Sequence, residues 1–308
     1  MIYTLTLNPA LDITISADSL IKNSINKTHL KSVSAGGKGF NTSRALNCLG
    51  VKNRAVALCG GIFRKDIEKL LNDEKIDFHI IHISDSTRVN IKLIEQKSEK
   101  LTELNGEGPV IGKDEIENLM DFIKNINPKP GYFIISGSLP QNVDESIYFN
   151  IINICKSYGI KTLLDASGKP LYHGMLAVPD IVKINQNELG EVSDKYFNLK
   201  PEELIRRSLL KGLKMIMITN GPKQIQYFDQ LNFYTIIPSD IKGLYKTGAG
   251  DCVNAGLIYA LKNNFEIEER LKFAVSCGNA NILSEIPGRF EISQVYDLIP
   301  NIKVQKLS

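Results

Sequence analysis

An α/β fold is predicted, with a mostly parallel sheet, helices on both faces and a small separate β-sheet as a lid. Three observations carry that expectation. Short, nearly continuous apolar runs alternate with amphipathic helical stretches. Two stretches in the first third of the chain break the alternation with strand-like pairs that no long helix separates. No long linker, internal repeat or low-complexity tract divides the 308 residues, so one domain, 1–308, is expected.

The main-sheet strands are predicted at Ile2–Leu7, Arg54–Cys59, Tyr132–Ser136, Lys161–Asp165, Asp180–Asn185 and Lys214–Thr219. Continuous apolar runs mark strands covered on both faces. Between them, Ile116, Leu119, Met120 and Ile123 repeat at helical spacing. So do Ile147, Ile151, Ile154, Cys155 and Tyr158, with Gly159 as the stop. The rhythm breaks at Ile13–Ser16 and Asn26–Val33, and again at Arg88–Gln96 and Lys100–Thr102, a hairpin turning at Ser98-Glu99. These are expected to pair into a small antiparallel lid, inserted at about 12–33 and 88–103. The plainer alternative is that they extend the main sheet's edge.

Composition is that of an ordinary globular protein: 43% apolar, 23% charged, net charge +3. No basic block or stripe with aromatic platforms points to nucleic acid or a membrane surface. No apolar run approaches the ~18 residues of a membrane span, and MIYTLTLNPALD lacks the pattern of a signal peptide. Cys48, Cys59, Cys155, Cys252 and Cys277 are scattered without CxxC spacing, which argues against a disulfide framework or zinc site and suits a reducing cytoplasm. His79 and His82, three apart in a strand-like run, face opposite sides and make a poor metal pair.

The sharpest chemical signal is Thr247-Gly248-Ala249-Gly250-Asp251 before the apolar helical run from Ala255 to Leu261. Glycines let the backbone approach a ligand, and a helix N-terminus adds unpaired N–H groups, together an anion hole. Asp251 in that first turn can take a proton from a hydroxyl beside a transferring phosphoryl group. The bland alternative is an N-cap Asp after a glycine turn. A second cluster, Gly36-Gly37-Lys38-Gly39-Phe40-Asn41, opens a helix that Gly50 ends. It lacks the Walker A arrangement. Backbone approach with Lys38 and Asn41 suits a polyhydroxylated anion; the alternative is a turn and helix start.

Joined in order with Leu7-Asn8-Pro9-Ala10-Leu11-Asp12, Thr87-Arg88-Val89-Asn90, Thr102-Glu103-Leu104-Asn105, Ser136-Gly137-Ser138-Leu139-Pro140 and Asp165-Ala166-Ser167-Gly168, these elements span nearly the whole chain. The chain resembles the PfkB (ribokinase-like) carbohydrate kinases, most of all the 1-phosphofructokinase and tagatose-6-phosphate kinase branch. The resemblance implies a Rossmann-type three-layer α/β sandwich with a small β lid. It implies Asp251 as catalytic base, with Gly248, Ala249 and Gly250 forming the anion hole. Asp12, Gly37, Lys38, Asn41, Asn90, Asn105, Ser136, Gly137 and Ser138 would line the sugar site, and Arg88, assisted by Lys38, would hold the phosphate already on the substrate. Lys183, Asn185, Glu188, Thr219, Gly221, Gly248, Gly250 and Asn279 would serve ATP, with Glu188 and Asn185 near Mg²⁺ through water. Lys27, expected in a lid strand, would reach substrate phosphate, in one version that of a neighbouring subunit. A homodimer formed lid to lid is implied, with Ile13, Ile15, Ile91 and Leu93 as the apolar face.

The chain departs from the family pattern in four places. Ile184 replaces a proline between Lys183 and Asn185, which predicts a shifted backbone path. Gln224 stands where glycine is common, which predicts a crowded nucleotide contact. Gln141-Asn142 replaces x-Gly, a mild change because Asn tolerates positive φ. Cys252 follows the base, where a helix N-terminus is expected to lower a thiol pKa without giving it a catalytic role. The expected activity is ATP-dependent phosphorylation of fructose 1-phosphate to the 1,6-bisphosphate. Tagatose 6-phosphate is the alternative acceptor, and a sugar-phosphate-binding protein without turnover is the alternative of another class.

Overall fold

A computed structural model describes residues 1–98, 100–241, 243 and 246–307. The chain opens with β1 (Ile2–Thr6), leaves for the lid strands β2 (Ala10–Ala17) and β3 (His29–Gly36), and returns through α1 (Lys38–Cys48) to β4 (Asn53–Gly60). It continues through α2 (Arg64–Asp73) and β5 (Phe78–Ile83) to the lid strands β6 (Arg88–Glu95) and β7 (Lys100–Asn105). Then come α3 (Lys113–Asn125), β8 (Tyr132–Ser136), α4 (Ile147–Ser157), β9 (Lys161–Asp165), α5 (Gly168–Leu176), β10 (Ile181–Asn185), α6 (Gln186–Val192), α7 (Pro201–Leu210) and β11 (Met215–Thr219). The last third holds β12 (Ile225–Asp229), β13 (Phe233–Ile237), α8 (Ala249–Lys262), α9 (Ile267–Asn281), α10 (Ile292–Leu298) and β14 (Lys303–Leu307).

The large sheet has the order β14-β13-β12-β11-β10-β9-β8-β1-β4-β5. From β11 to β5 every pairing is parallel; β12, β13 and β14 add an antiparallel edge that the apolar-run reading did not anticipate. Alternate residues of one strand enter opposite cores, as the period of 2 requires. Phe133 and Ile135 join α3–α7 on one face, while Ile134 joins α1, α8, α9 and α10 on the other. The predicted three layers are therefore present.

The lid is a separate four-stranded sheet, β3-β2-β6-β7, and not an extension of the main one. It is mixed, not wholly antiparallel: β2 pairs β6 in parallel, from Ala10↔Arg88 to Ala17↔Glu95. The reason is topological. β2 leaves β1 and β6 leaves β5, and those parent strands run the same way in the large sheet, so their continuations do too. The strands reach further than predicted, to Gly36 and Asn105. Ser98 lies in the turn that follows β6, and Glu99 of that expected turn lies outside the described residues. The expected apolar lid face is partly covered already: Leu93 is buried, and Ile13 packs against the core cluster that contains Leu11, Phe40 and Ile67. Leu30, Val33 and Leu104, cross-strand partners of Ile15, Ile13 and Ile91, remain exposed on that face.

Candidate active site

The parallel strands end level with one another. Thr6, Ser136 and Asp165 are in register at the carboxyl ends of β1, β8 and β9, and Asn185 and Thr219 at those of β10 and β11. Ligand sites of open α/β sheets form along this edge, where loops and helix N-termini converge. Both α1 and α8 begin here, and the lid lies above.

Two adjoining cavities occupy the edge. The first, about 480 Å³, lies under the lid. Asp12, Gly37, Lys38, Asn41, Arg88, Asn90, Asn105, Ser136, Gly137, Ser138, Lys183, Glu188, Gly248, Gly250 and Asp251 all line it. The second, about 550 Å³, is lined by Thr219, Gly221, Ala249, Gly250 and Asn279, with Ile225, Val253, Val275 and Ile282 as apolar walls. Gly250 belongs to both. A Cβ there would stand 2.8 Å from Lys183 Nζ, so the bare backbone lets that lysine keep its place without shifting. Gly248, the N-cap of α8, sits at φ 88°, which glycine adopts without strain. The N–H groups of Gly250 and Asp251 fall in the first turn, where a helix offers no carbonyl of its own.

The glycine turn at 36–41 and the one at 247–251 meet directly. Asn41 Nδ2 donates to Asp251 Oδ2 at 2.8 Å, across 210 residues of chain. The hub beneath is Asp165, fully buried. Its Oδ1 accepts from Lys38 Nζ at 2.8 Å, and its Oδ2 from Lys183 Nζ at 2.6 Å and Asn254 Nδ2 at 2.7 Å. Burial opposes the Asp165 charge, but Lys183 and Lys38 hold its carboxyl well below the usual carboxylate range. Burial likewise opposes the Lys38 ammonium, and Asp165, with Asp251 and Glu188, outweighs it and holds that pKa above the usual lysine value. Asp251 is different. Burial and the neighbouring Asp165 charge push it up to about 6, against Lys38, Lys183 and the Asn41 donor. Two carboxylates with pKa values driven apart mark acid–base chemistry.

The first cavity is rich in uncommitted polar atoms. Among the described residues, Thr6 Oγ1, Asn8 Oδ1, Asn90 Oδ1 and Ser136 Oγ, all of lining residues, are buried without a hydrogen-bond partner. Buried polar groups rarely stay unpaired, so the cavity suits a ligand with several hydroxyls. Asn279 Nδ2 is similarly unpartnered in the second cavity. On the lid's inner face Asn90 Nδ2 donates to Asp12 Oδ1 at 2.8 Å, and Lys92 lies 3.9 Å from Asp12 Oδ2.

Sequence reasoning missed Thr6, Asn8, Lys92, Glu103 and Asp165 as site residues. The signal for Lys92 was available: it stands two residues beyond Asn90 and so shares its face. Register supplies Glu103 opposite Lys92. Asp165 occupies the same strand-end position as Ser136, which was singled out.

Several expectations need correction. Lys27 precedes β3 instead of lying within a strand, is exposed and lines neither cavity. Asn185 also lines neither. It caps α6, its side chain accepting from Glu188 N while Glu188 Oε2 accepts from Asn185 N at 2.7 Å. The N-x-x-E spacing is thus a reciprocal capping box. Arg88 is in the site, but three of its N–H groups go to backbone carbonyls of Asn8, Pro9 and Gly106. Its guanidinium first braces the β1–β2 crossover against the end of β7, leaving two N–H groups for a ligand. Lys38 lines the same cavity as Arg88, with its ammonium tied to Asp165 and influenced by the Asp251 charge.

The departures resolve similarly. Ile184 is fully buried, and β10 runs unbroken in register with β11. Gln224 is exposed and outside the groove lining, so it does not crowd that cavity. Asn142 takes φ 58°, as its tolerance allowed. Burial, reinforced by Asp251, pushes the Cys252 thiol well up instead of down, and Sγ donates to Asn281 Oδ1 at 3.4 Å.

A divalent cation finds a sparse donor set. No cluster of three His, Cys, Asp or Glu occurs among the described residues. Asp165 is engaged by two lysines and Asn185 by its cap. Glu188 lines the cavity with one oxygen in the capping box, which fits Mg²⁺ held mainly by phosphate oxygens and water.

The family model for "pfkB family carbohydrate kinase" matches residues 6–289. A 1-phosphofructokinase of Borreliella burgdorferi is 33% identical, the match covering 100% of this chain and 99% of the relative. A tagatose-6-phosphate kinase of Staphylococcus epidermidis is 27% identical, covering 99% of each. The crystal structure of phosphofructokinase-2 from Escherichia coli in complex with fructose-6-phosphate superposes with a TM-score of 0.87 at 25% identity, over 97% of this chain and 98% of that one.

Proposed function

The chain belongs to the pfkB family of carbohydrate kinases, and from that premise we propose that it phosphorylates a ketose phosphate with ATP. Fructose 1-phosphate, giving the 1,6-bisphosphate, is the first acceptor; tagatose 6-phosphate is the second, supported by the tagatose-6-phosphate kinase relative. The observation that carries this reading is Asp251 at the junction of two cavities, one polar and hydroxyl-seeking, the other walled by apolar residues suited to a flat base.

The acceptor sugar lies beneath the lid, its hydroxyls meeting Asp12, Asn41, Asn90 and Ser136. Its phosphate points to the lid end, where Lys92 and the two remaining N–H groups of Arg88 are available. ATP occupies the apolar groove with its phosphates over the start of α8. Asp251 takes the proton from the acceptor hydroxyl as that oxygen bonds to the γ-phosphorus and the bond to the β-phosphate oxygen breaks. The N–H groups at Gly250 and Asp251, with Lys38 and Lys183, meet the developing charge. Mg²⁺, when bound with ATP beside Glu188, would supply further neutralisation of phosphate charge. Lid closure would keep water from the γ-phosphate.

The exposed Leu30, Val33 and Leu104 support a homodimer through the lid. Light scattering at micromolar concentration is expected to give twice the mass of the 34.3 kDa chain; a monomer would remove the lid interface. No helix among the described residues is long and apolar enough to cross a membrane, and the five free cysteines support a cytoplasmic setting.

ADP release with MgATP and a panel of phosphoketoses tests the function. Turnover is expected with fructose 1-phosphate above tagatose 6-phosphate and far above unphosphorylated sugars. Binding of phosphoketoses without any ADP release would mean a sugar-phosphate-binding protein instead.

A further inference from the structure

Arg44 lines neither cavity, yet one of its partners, Asn41, does, and two others adjoin residues of the site. It lies one turn after Asn41 on α1, on the same face, and is buried. Its Nη1 donates to Asn41 Oδ1 at 3.1 Å and to Pro287 O at 2.6 Å. Its Nη2 donates to Ala35 O at 3.1 Å, and its Nε to Glu74 Oε2 at 2.7 Å. Glu74, at the end of α2, anchors the guanidinium from outside, while the other contacts adjoin the site. Ala35 precedes Gly36, which abuts the Asp12 carboxylate. Pro287 and Gly288 back the turn at Gly248, and Gly288 N donates to Asn281 Oδ1 while Asn281 Nδ2 donates to Thr247 O.

The contact with Asn41 has a chemical consequence. An amide has one accepting end and one donating end, and a guanidinium can only donate. With Arg44 at Oδ1, the Asn41 amino group has one direction left, towards Asp251. If the amide turned over, its oxygen would face a carboxylate and its amino group a cation, both repulsive.

We propose that Arg44 is a positioning residue for the phosphoryl transfer: by fixing the Asn41 amide, it keeps a hydrogen-bond donor on the Asp251 carboxylate. The inference rests on Asp251 being the base. That donor favours the ionised carboxylate, as do Lys38 of α1 and Lys183 of β10, while burial and Asp165 of β9 oppose it. Arg44 thus acts on how Asp251 titrates, through one intervening side chain.

The test is kcat against pH for the wild type, Arg44→Met, Arg44→Lys, Asn41→Leu and the double variant Arg44→Met/Asn41→Leu. The substrate's own phosphate ionisation is common to all and cancels in the comparison. Arg44→Met is expected to move the acid limb up by about one pH unit, the effect of losing one donor to a charged group. Arg44→Lys, which can still donate to Asn41, is expected to recover part of the shift. Asn41→Leu should show the same displacement with Arg44 in place, so the result does not depend on Arg44→Met folding. The double variant should move no further than either single one. A uniform loss of turnover at every pH, with the limb unmoved in both Arg44→Met and Asn41→Leu, would assign Arg44 a purely structural role and overturn the proposal. If Asp251→Asn is inactive in that case, the base assignment stands and only the Arg44 inference falls; normal turnover in Asp251→Asn removes both.

Discussion

Asp251→Asn is expected to lower kcat by ~10²–10⁴, the usual worth of general-base assistance, while phosphoketose affinity changes little. The amide keeps the size of the carboxyl group and can still meet Asn41, so the cavity wall at α8 survives. What disappears is the proton acceptor. The wild type carries a second signature of the same group. Since burial and Asp165 push Asp251 up to about 6, kcat/KM is expected to fall below that pH as the base becomes protonated, and to level off above it. The direction is diagnostic: an unperturbed aspartate would hold activity down to about pH 4. Steady-state kinetics on both proteins, with calorimetric binding of the phosphoketose to the variant, decide the matter. Turnover of the variant within a few-fold of wild type would remove Asp251 from the chemistry.

Asp165→Asn is expected to cost about 3–5 kcal/mol of stability, the range for breaking a buried ion pair from one side. Two lysines point at this carboxylate, and Lys183 is almost as buried as Asp165 itself. The amide leaves both ammonium groups without their counter-charge. Urea unfolding at neutral pH measures the loss. Adding Lys183→Met should restore part of it, because the stranded charge is then gone. The sign of the pH dependence follows from the depressed Asp165 pKa. Its contribution is fully present above the unfolded value of about 3.9 and drains as pH falls through the lower folded value. The gap between wild type and variant should therefore close only in strong acid. Any residual activity carries a further sign check. Without the Asp165 charge beside it, Asp251 ionises more easily, so the acid limb should move down, opposite to the Arg44→Met shift. An unchanged urea midpoint would mean that the lysines find other partners.

The large elements were legible in the sequence because each rests on local physics. Tyr132–Ser136 and Lys161–Asp165 were read with the bounds they have, since a doubly covered strand has an apolar centre with polar residues only towards its ends. The two glycine turns were legible because few other sequences let a backbone turn into a helix start beside a ligand. Asn142 at positive φ followed from its residue type. The antiparallel edge β12–β14 was not read from the sequence, because Ile225–Asp229 and Lys303–Leu307 are short and carry polar residues, unlike the continuous apolar runs that marked the parallel strands. The parallel β2–β6 pairing was not legible either, since it depends on which way the parent strands run.

What the sequence determined by itself was an inventory: an α/β sandwich, a lid, a carboxylate opening a late helix, and an early turn carrying Lys38 and Asn41. Only the tertiary structure decided how these groups share their partners. It spends much of Arg88 on backbone carbonyls, makes Asn185 and Glu188 a helix cap, and gives two lysines to one buried Asp165. It also sets Arg44 behind Asn41 and Asn41 against Asp251. The physical reason is that residue type and spacing follow from short-range sterics and hydrophobic period, whereas hydrogen-bond ownership and buried charge depend on which distant segments the sheet brings to one edge.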